Sequence, residues 1–109
     1  MSLDVSILVE VTDLRNVFDG NITHNLGMMA GKAGIYELLW RPEELGYTKA
    51  KQLIKPLEKG LLFLQQNQTH LEQFNPPDGW GNYHNLCTFV QNYLDACRNF
   101  PNGEIKVNR

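Results

Sequence analysis

The sequence predicts an α+β domain, on two observations. Both ends alternate apolar and polar residues with period two: Leu3, Val5, Ile7, Val9 and Val11 at the start, Ile105 and Val107 at the finish. Between them, three stretches repeat apolar residues at helical spacing. A lone strand cannot satisfy its backbone, so the end strands are expected to pair. The expected architecture is a small antiparallel sheet, N-terminal strand against C-terminal strand, covered on one face by three main helices. The 109 residues suit one domain over 1–109 with a single modest core.

The first strand alternates with Asp4, Ser6, Glu10 and Thr12, and only Leu8 interrupts its polar side. Val17-Phe18 and Asn21-Ile22 flank Asp19-Gly20, a pair suited to the positive φ of a tight turn, which predicts a short second strand or a hairpin within 16–23. Thr23 is placed to cap a helix carrying Leu26, Met29, Ala30, Ala33, Tyr36 and Trp40 on one face. Gly27, Gly31 and Gly34 each cost about 1 kcal/mol against alanine in a helix interior. They imply either close approach of another backbone or a break near Gly34. Pro42 ends the segment, because it pushes Arg41 towards extended geometry.

Glu43 to Tyr47 reads as a connector, after which Thr48 is expected to cap a second helix with Ala50, Leu53, Ile54, Leu57, Leu61 and Leu64 in phase. Pro56 removes one backbone hydrogen bond inside it, yet the apolar phase continues, which predicts one kinked helix. A short helical piece is expected over 69–74. Asn75 to Asn82 is turn chemistry around Trp80. The third helix then carries Tyr83, Leu86, Cys87, Val90, Leu94 and Cys97, and Pro101-Asn102-Gly103 stops it before the last strand, Glu104 to Asn108.

Ten basic against twelve acidic residues leave a net charge of -2, with no global field to hold a nucleic-acid polymer or an anionic membrane. No apolar run reaches the roughly 18 residues of a membrane span, and the start of the chain lacks a signal-peptide core, so a cytoplasmic location is expected. Cys87 and Cys97 lie about 15 Å apart along one expected helix and cannot bridge. The sequons at Asn21 and Asn67 carry no meaning without secretion.

The residues NITHNL from Asn21, LWRPEE from Leu39, NPPDGWGNY from Asn75, and YLDAC from Tyr93 through to the final VNR resemble a family of small uncharacterised proteins of bacteriophages and prophages. The resemblance covers nearly the whole chain. Family forms of the loop read NPENGWG, so Pro77 is a departure. The family brings no activity, cofactor or catalytic residue to carry over. What it implies is a setting, the bacterial host cell, in which small non-enzymatic phage proteins blunt a host defence.

Catalytic and metal chemistry have weak patterns here. His84 and Cys87 are spaced for one helix face and His24 or His70 could join them, but no second tight ligand pair exists, and a core cysteine beside a histidine explains the spacing. Both cysteines lie on the expected buried stripe, where they act as small hydrophobes. Glu43 and Glu44 read as a solvated acidic turn, and the glycines around Lys32 match neither phosphate-binding fingerprint. Lys32 itself could meet an anion near a helix start. No cofactor, catalytic residue or metal ligand is assigned.

A ligand pocket is the sharpest reading. Trp40, Trp80 and Tyr83 offer flat faces to a base, Arg41 and Arg109 planar cations to a phosphate, and Asn21, His24 and Asn25 polar edges. Against it, aromatics in so small a domain are usually core, Arg41 has Glu43 and Glu44 beside it, and Asn21 can cap a helix. The expected function is a non-enzymatic protein that sequesters a small anionic, nucleotide-derived immune signal. The alternative is an interaction module that blocks a host defence protein or forms a homo-oligomer through exposed aromatics and an open sheet edge. A small hydrolase or metal enzyme using His24 and His84 is the third.

Overall fold

The computed structural model describes residues 1–10 and 14–109. Val11 and Thr12, the end of the expected first strand, lie outside them. Strand β1 (Ser2–Glu10) is central, flanked by β2 (Leu14–Thr23) and β3 (Glu104–Asn108), both antiparallel to it. The ends of the chain therefore meet in one sheet, as the alternation predicts. Leu3, Val5 and Ile7 are fully buried, and Ile22 on β2 joins them beneath the helices. The opposite face is polar, with Ser6 and Asn16 both donating to Asp19 Oδ1 (3.0 and 2.8 Å).

Of the two alternatives expected within 16–23, the second strand forms and the hairpin does not. Asp19 and Gly20 sit inside β2, paired with Ser6 and Val5, and Val17 is the extra residue of a bulge where the register shifts between Ile7 and Leu8. Gly20 is there for space: a Cβ would stand 3.1 Å from both the Phe18 ring and the Val5 side chain. With that room the Phe18 ring stacks on Tyr93 (5.8 Å between centroids).

The expected first helix is interrupted. A 3₁₀ turn (His24–Leu26), capped by Thr23 Oγ1 accepting from the Asn25 N–H (3.3 Å), leads into α1 (Gly27–Lys32). The chain breaks at Gly34 (φ 76°) and resumes as α2 (Tyr36–Trp40). Of the two explanations the glycines left open, the break near Gly34 is the one observed. A further 3₁₀ turn (Pro42–Leu45) occupies the expected connector.

Helix α3 (Ala50–Gln66) runs unbroken through Pro56. It starts later than the expected Thr48 cap, because Gln52 Oε1 takes the Thr48 and Lys49 N–H groups (2.8 and 2.9 Å) while the Ala50 and Lys51 N–H groups donate to the carbonyls of Gly103 and Pro101 (2.9 and 2.8 Å). The turn before β3 therefore caps α3. After α4 (Gln68–Glu72) and the loop, α5 (Tyr83–Asn99) starts at Asn82, whose Oδ1 accepts from the Asn85 N–H (2.9 Å) while Asn85 Oδ1 accepts from the Asn82 N–H (2.9 Å). Its buried face includes Phe89, Tyr93 and Ala96 beside the expected stripe, because α5 packs on both α3 and β2. No helix among the described residues is long and apolar enough to cross a membrane.

Candidate functional site

Six of the eight residues singled out in the sequence form a belt of two hydrogen-bonded groups joined through the His24-Asn25 peptide, with Arg41 next to Trp40 in the chain. It is built where the 3₁₀ turn after β2, the end of α2, the 75–82 loop and the end of the chain converge. Thr23 starts the turn that presents His24 and Asn25. The half-buried His24 accepts from the Trp40 indole N–H at Nδ1 (2.8 Å), and Trp40, with 2% of its surface exposed, stacks on Tyr36 (5.1 Å between centroids). The Trp40 carbonyl accepts from Arg109 Nη1 (2.9 Å), and Arg109 also pairs with Glu43. Arg41 pairs with Glu44 (2.8 Å).

At the other end, Asn25 Nδ2 donates to Asp78 Oδ2 (3.1 Å) and to the Trp80 carbonyl (3.4 Å), while the Trp80 N–H donates to Asp78 Oδ1 (2.9 Å). Gly81 fixes the loop against the domain: it has φ 96°, and a Cβ there would meet the Thr23 methyl at 2.8 Å. The Trp80 ring is left 72% exposed.

The other two residues fall elsewhere. Asn21 lies on the polar face of the sheet, where its Nδ2 donates to Ser2 Oγ (2.8 Å) and Asp4 Oδ1 (2.7 Å). It caps no helix. Tyr83 is core: its hydroxyl donates to the Leu64 carbonyl (2.5 Å) and burial raises its pKa, so no ring face is free for stacking. Trp40 likewise gives both ring faces to the interior, and its contribution to the belt is the indole bond to His24 and the carbonyl that holds Arg109.

No protein-family model, curated protein or solved structure matches this chain. The belt must be read by its chemistry.

Each guanidinium uses Nη1 on a carboxylate and keeps further N–H groups for an acceptor. The pairing holds the Arg41 guanidinium charged, through the Glu44 bond first, and holds the Glu43 carboxyl below its usual range, through the Arg109 bond first. Two cations beside two anions are locally neutral, so an anionic ligand would gain directional bonds more than net charge. The exposed Trp80 indole supplies the stacking face.

Thiol chemistry has poor support, since burial pushes the Cys97 thiol up to about 12 and also raises Cys87. Among the described residues, no three His, Cys, Asp or Glu side chains are grouped to hold a metal. His84 stands exposed at the start of α5 against the Tyr83 ring.

Two features escaped the sequence reading. Asp78 pins the loop, and its signal was available, since an Asp two residues before an aromatic at a loop tip is an Asx-turn candidate. The second is an apolar groove of about 630 Å³ between α3 and the 33–47 segment, with Leu45, Leu62 and Phe63 exposed on its walls. Leu62 and Phe63 fall out of phase with the buried stripe of α3, which was the sign that they face outward.

Proposed function

We propose that this chain is a non-enzymatic binding protein that sequesters a small anionic, nucleotide-derived ligand. The single observation that supports the reading is the belt: the exposed Trp80 indole is carried on a backbone bonded to Asn25, and the next residue in the chain, the half-buried His24, is bonded to Trp40, whose carbonyl holds the Arg109 guanidinium and whose chain neighbour is Arg41. A base stacks on Trp80, Asn25 and His24 read polar edges, and the guanidiniums take phosphate oxygens with the N–H groups their glutamates leave free. In the setting that the resemblance implies, the ligand is a signal of host defence, captured in the host cytoplasm.

The test is mass spectrometry of small molecules released on denaturing protein purified from its natural host background, followed by calorimetry with the ligand found. Binding without turnover is expected, weakened roughly tenfold or more by Trp80→Ala, since stacking on one aromatic contributes about 1–3 kcal/mol per base. An Arg41→Ala protein that binds as tightly as wild type sinks that residue's assignment. No released ligand, together with no binding by a panel of nucleotides, sinks the function.

A second reading, a module that docks on a host defence protein, is favoured by the apolar groove with Leu45, Leu62 and Phe63 on its walls. It predicts a stoichiometric polypeptide in place of the nucleotide, released by Phe63→Asp and retained by Trp80→Ala.

A further inference from the structure

The two sides of the sheet end differently. On the outer side of β3, Lys49 bridges Glu104 and the Ile105 N–H donates to the Thr48 carbonyl (2.9 Å), so the chain before α3 covers the start of that edge. The order β2-β1-β3 leaves β2, among the described residues, paired on one side only. Unpaired strand backbone is a template for another strand, and proteins that stay monomeric blunt it with charge, proline or bulges. β2 has its bulge at Val17, but the stretch from Phe18 to Thr23 pairs regularly with β1, contains no proline, and carries Asp19 as its one charge.

Helix α5 stands beside this stretch, and a groove of about 460 Å³ separates them, lined by Phe18, Ile22 and Thr23 from β2 and Asn85, Thr88 and Asn92 from α5. These three α5 residues are exposed and spaced i, i+3 and i+7, so they form one stripe. None is charged. Depletion of charge is a mark of surfaces that become buried between proteins.

We propose that a second copy of this chain docks here, β2 antiparallel to β2, so that two three-stranded sheets become one continuous sheet. The occupant is argued from the edge itself. Phe18-Asp19-Gly20-Asn21-Ile22 reads apolar, polar, glycine, polar, apolar from either end. An isologous contact about a two-fold axis at Gly20 needs such symmetry, and a foreign peptide would not.

In that register Phe18 stands opposite the partner's Ile22. Both belong to the inward face, since their cross-strand neighbours Ile7 and Leu3 are buried. Asp19 stands opposite the partner's Asn21 on the outer face, so no two carboxylates oppose each other, and glycine meets glycine at the axis. The same axis keeps both α5 helices on one side of the joined sheet, with their uncharged stripes turned towards each other. The inference is independent of the ligand reading, because the belt uses none of the five edge residues Phe18 to Ile22.

The experiment is native mass spectrometry of the full chain across a dilution series, with amide hydrogen exchange resolved over 18–23. A species of twice the 12.5 kDa chain mass is expected, with slowed exchange of the 18–23 amides in the dimer. A Thr88→Glu, Asn92→Glu double variant changes exposed positions and leaves the edge intact. Its circular dichroism should be unchanged and its dimer at least tenfold weaker, because like charges then oppose across the axis. A chain that stays monomeric at every concentration overturns the proposal. So does a dimer whose 18–23 amides exchange as fast as in the monomer, or one that the double variant leaves at full strength.

Discussion

Trp40 and Trp80 are the same side chain in opposite circumstances, 2% and 72% exposed. Trp40 ends a helix. Its ring stacks on Tyr36, its indole N–H is bound to His24 and its carbonyl to Arg109, so ring and backbone are both held. Among the described residues, Trp80 is held through its backbone: its N–H donates to Asp78 and its carbonyl accepts from Asn25, while the ring has no such partner there. A loop fixed this firmly around an exposed indole orders the chain without burying its largest apolar surface. The contrast separates a tryptophan that builds the fold from one that the fold displays.

Alanine at each position breaks the comparison if it is wrong. Trp40→Ala should lower unfolding stability by about 3–5 kcal/mol, the cost of emptying a large buried aromatic site. Trp80→Ala should stay within about 0.5 kcal/mol of wild type. Urea denaturation measures both, and equal losses would mean that the Trp80 ring is packed. A similar contrast applies to glycines. Gly103→Ala should cost about 1–3 kcal/mol, because its Cβ would collide with the Ile7 side chain and lie close to the Phe100 and Leu8 carbonyls. Gly31→Ala, where a Cβ meets nothing within 4 Å, should be neutral or gain up to about 1 kcal/mol from helix propensity.

The α+β class and the pairing of the chain ends were legible because they rest on period-two patterns with one buried face, which few other structures accommodate. The single helix through Pro56 was legible for the same reason: the buried phase of Leu53, Leu57, Leu61 and Leu64 outweighs one lost hydrogen bond. Asp19-Gly20 misled because turn chemistry is local, whereas the pairing of β2 with β1 is set along ten residues and needs a small residue beneath the Phe18 ring. At the site, the sequence named six residues that fall in two hydrogen-bonded groups on adjoining stretches of chain. It could not tell which aromatics present a ring, since Trp40, Trp80 and Tyr83 are alike in composition and differ only in what packs around them.

The tyrosines of α5 sharpen the lesson at a smaller scale. Tyr83 and Tyr93 are both buried, but the Tyr83 hydroxyl donates to the Leu64 carbonyl, whereas the Tyr93 hydroxyl has no partner among the described residues. Tyr83→Phe should cost about 1 kcal/mol, since it leaves a buried carbonyl without its donor. Trp40 and Trp80 differ in burial; these two differ only in partnership.

Tyr93→Phe should then have the smallest effect and the opposite sign. Its ring lies against Phe18 and Phe89, contacts that phenylalanine keeps. Removing an unpartnered buried hydroxyl removes a desolvation cost with no bond lost, so stability at neutral pH should be unchanged or raised by up to about 1 kcal/mol. The pH dependence is a second readout. Burial raises the Tyr93 pKa above its ordinary value of 10.0, so above pH 10 the unfolded chain gives up this proton while the folded chain keeps it. Stability is then full below that pH and falls as pH rises past it. Phenylalanine has no proton to lose, so the variant's advantage should widen between pH 9 and 11 in paired urea titrations. A Tyr93→Phe protein that is less stable than wild type would mean that the hydroxyl has a partner in solution, and a difference that is flat across that range would mean that the hydroxyl is not buried.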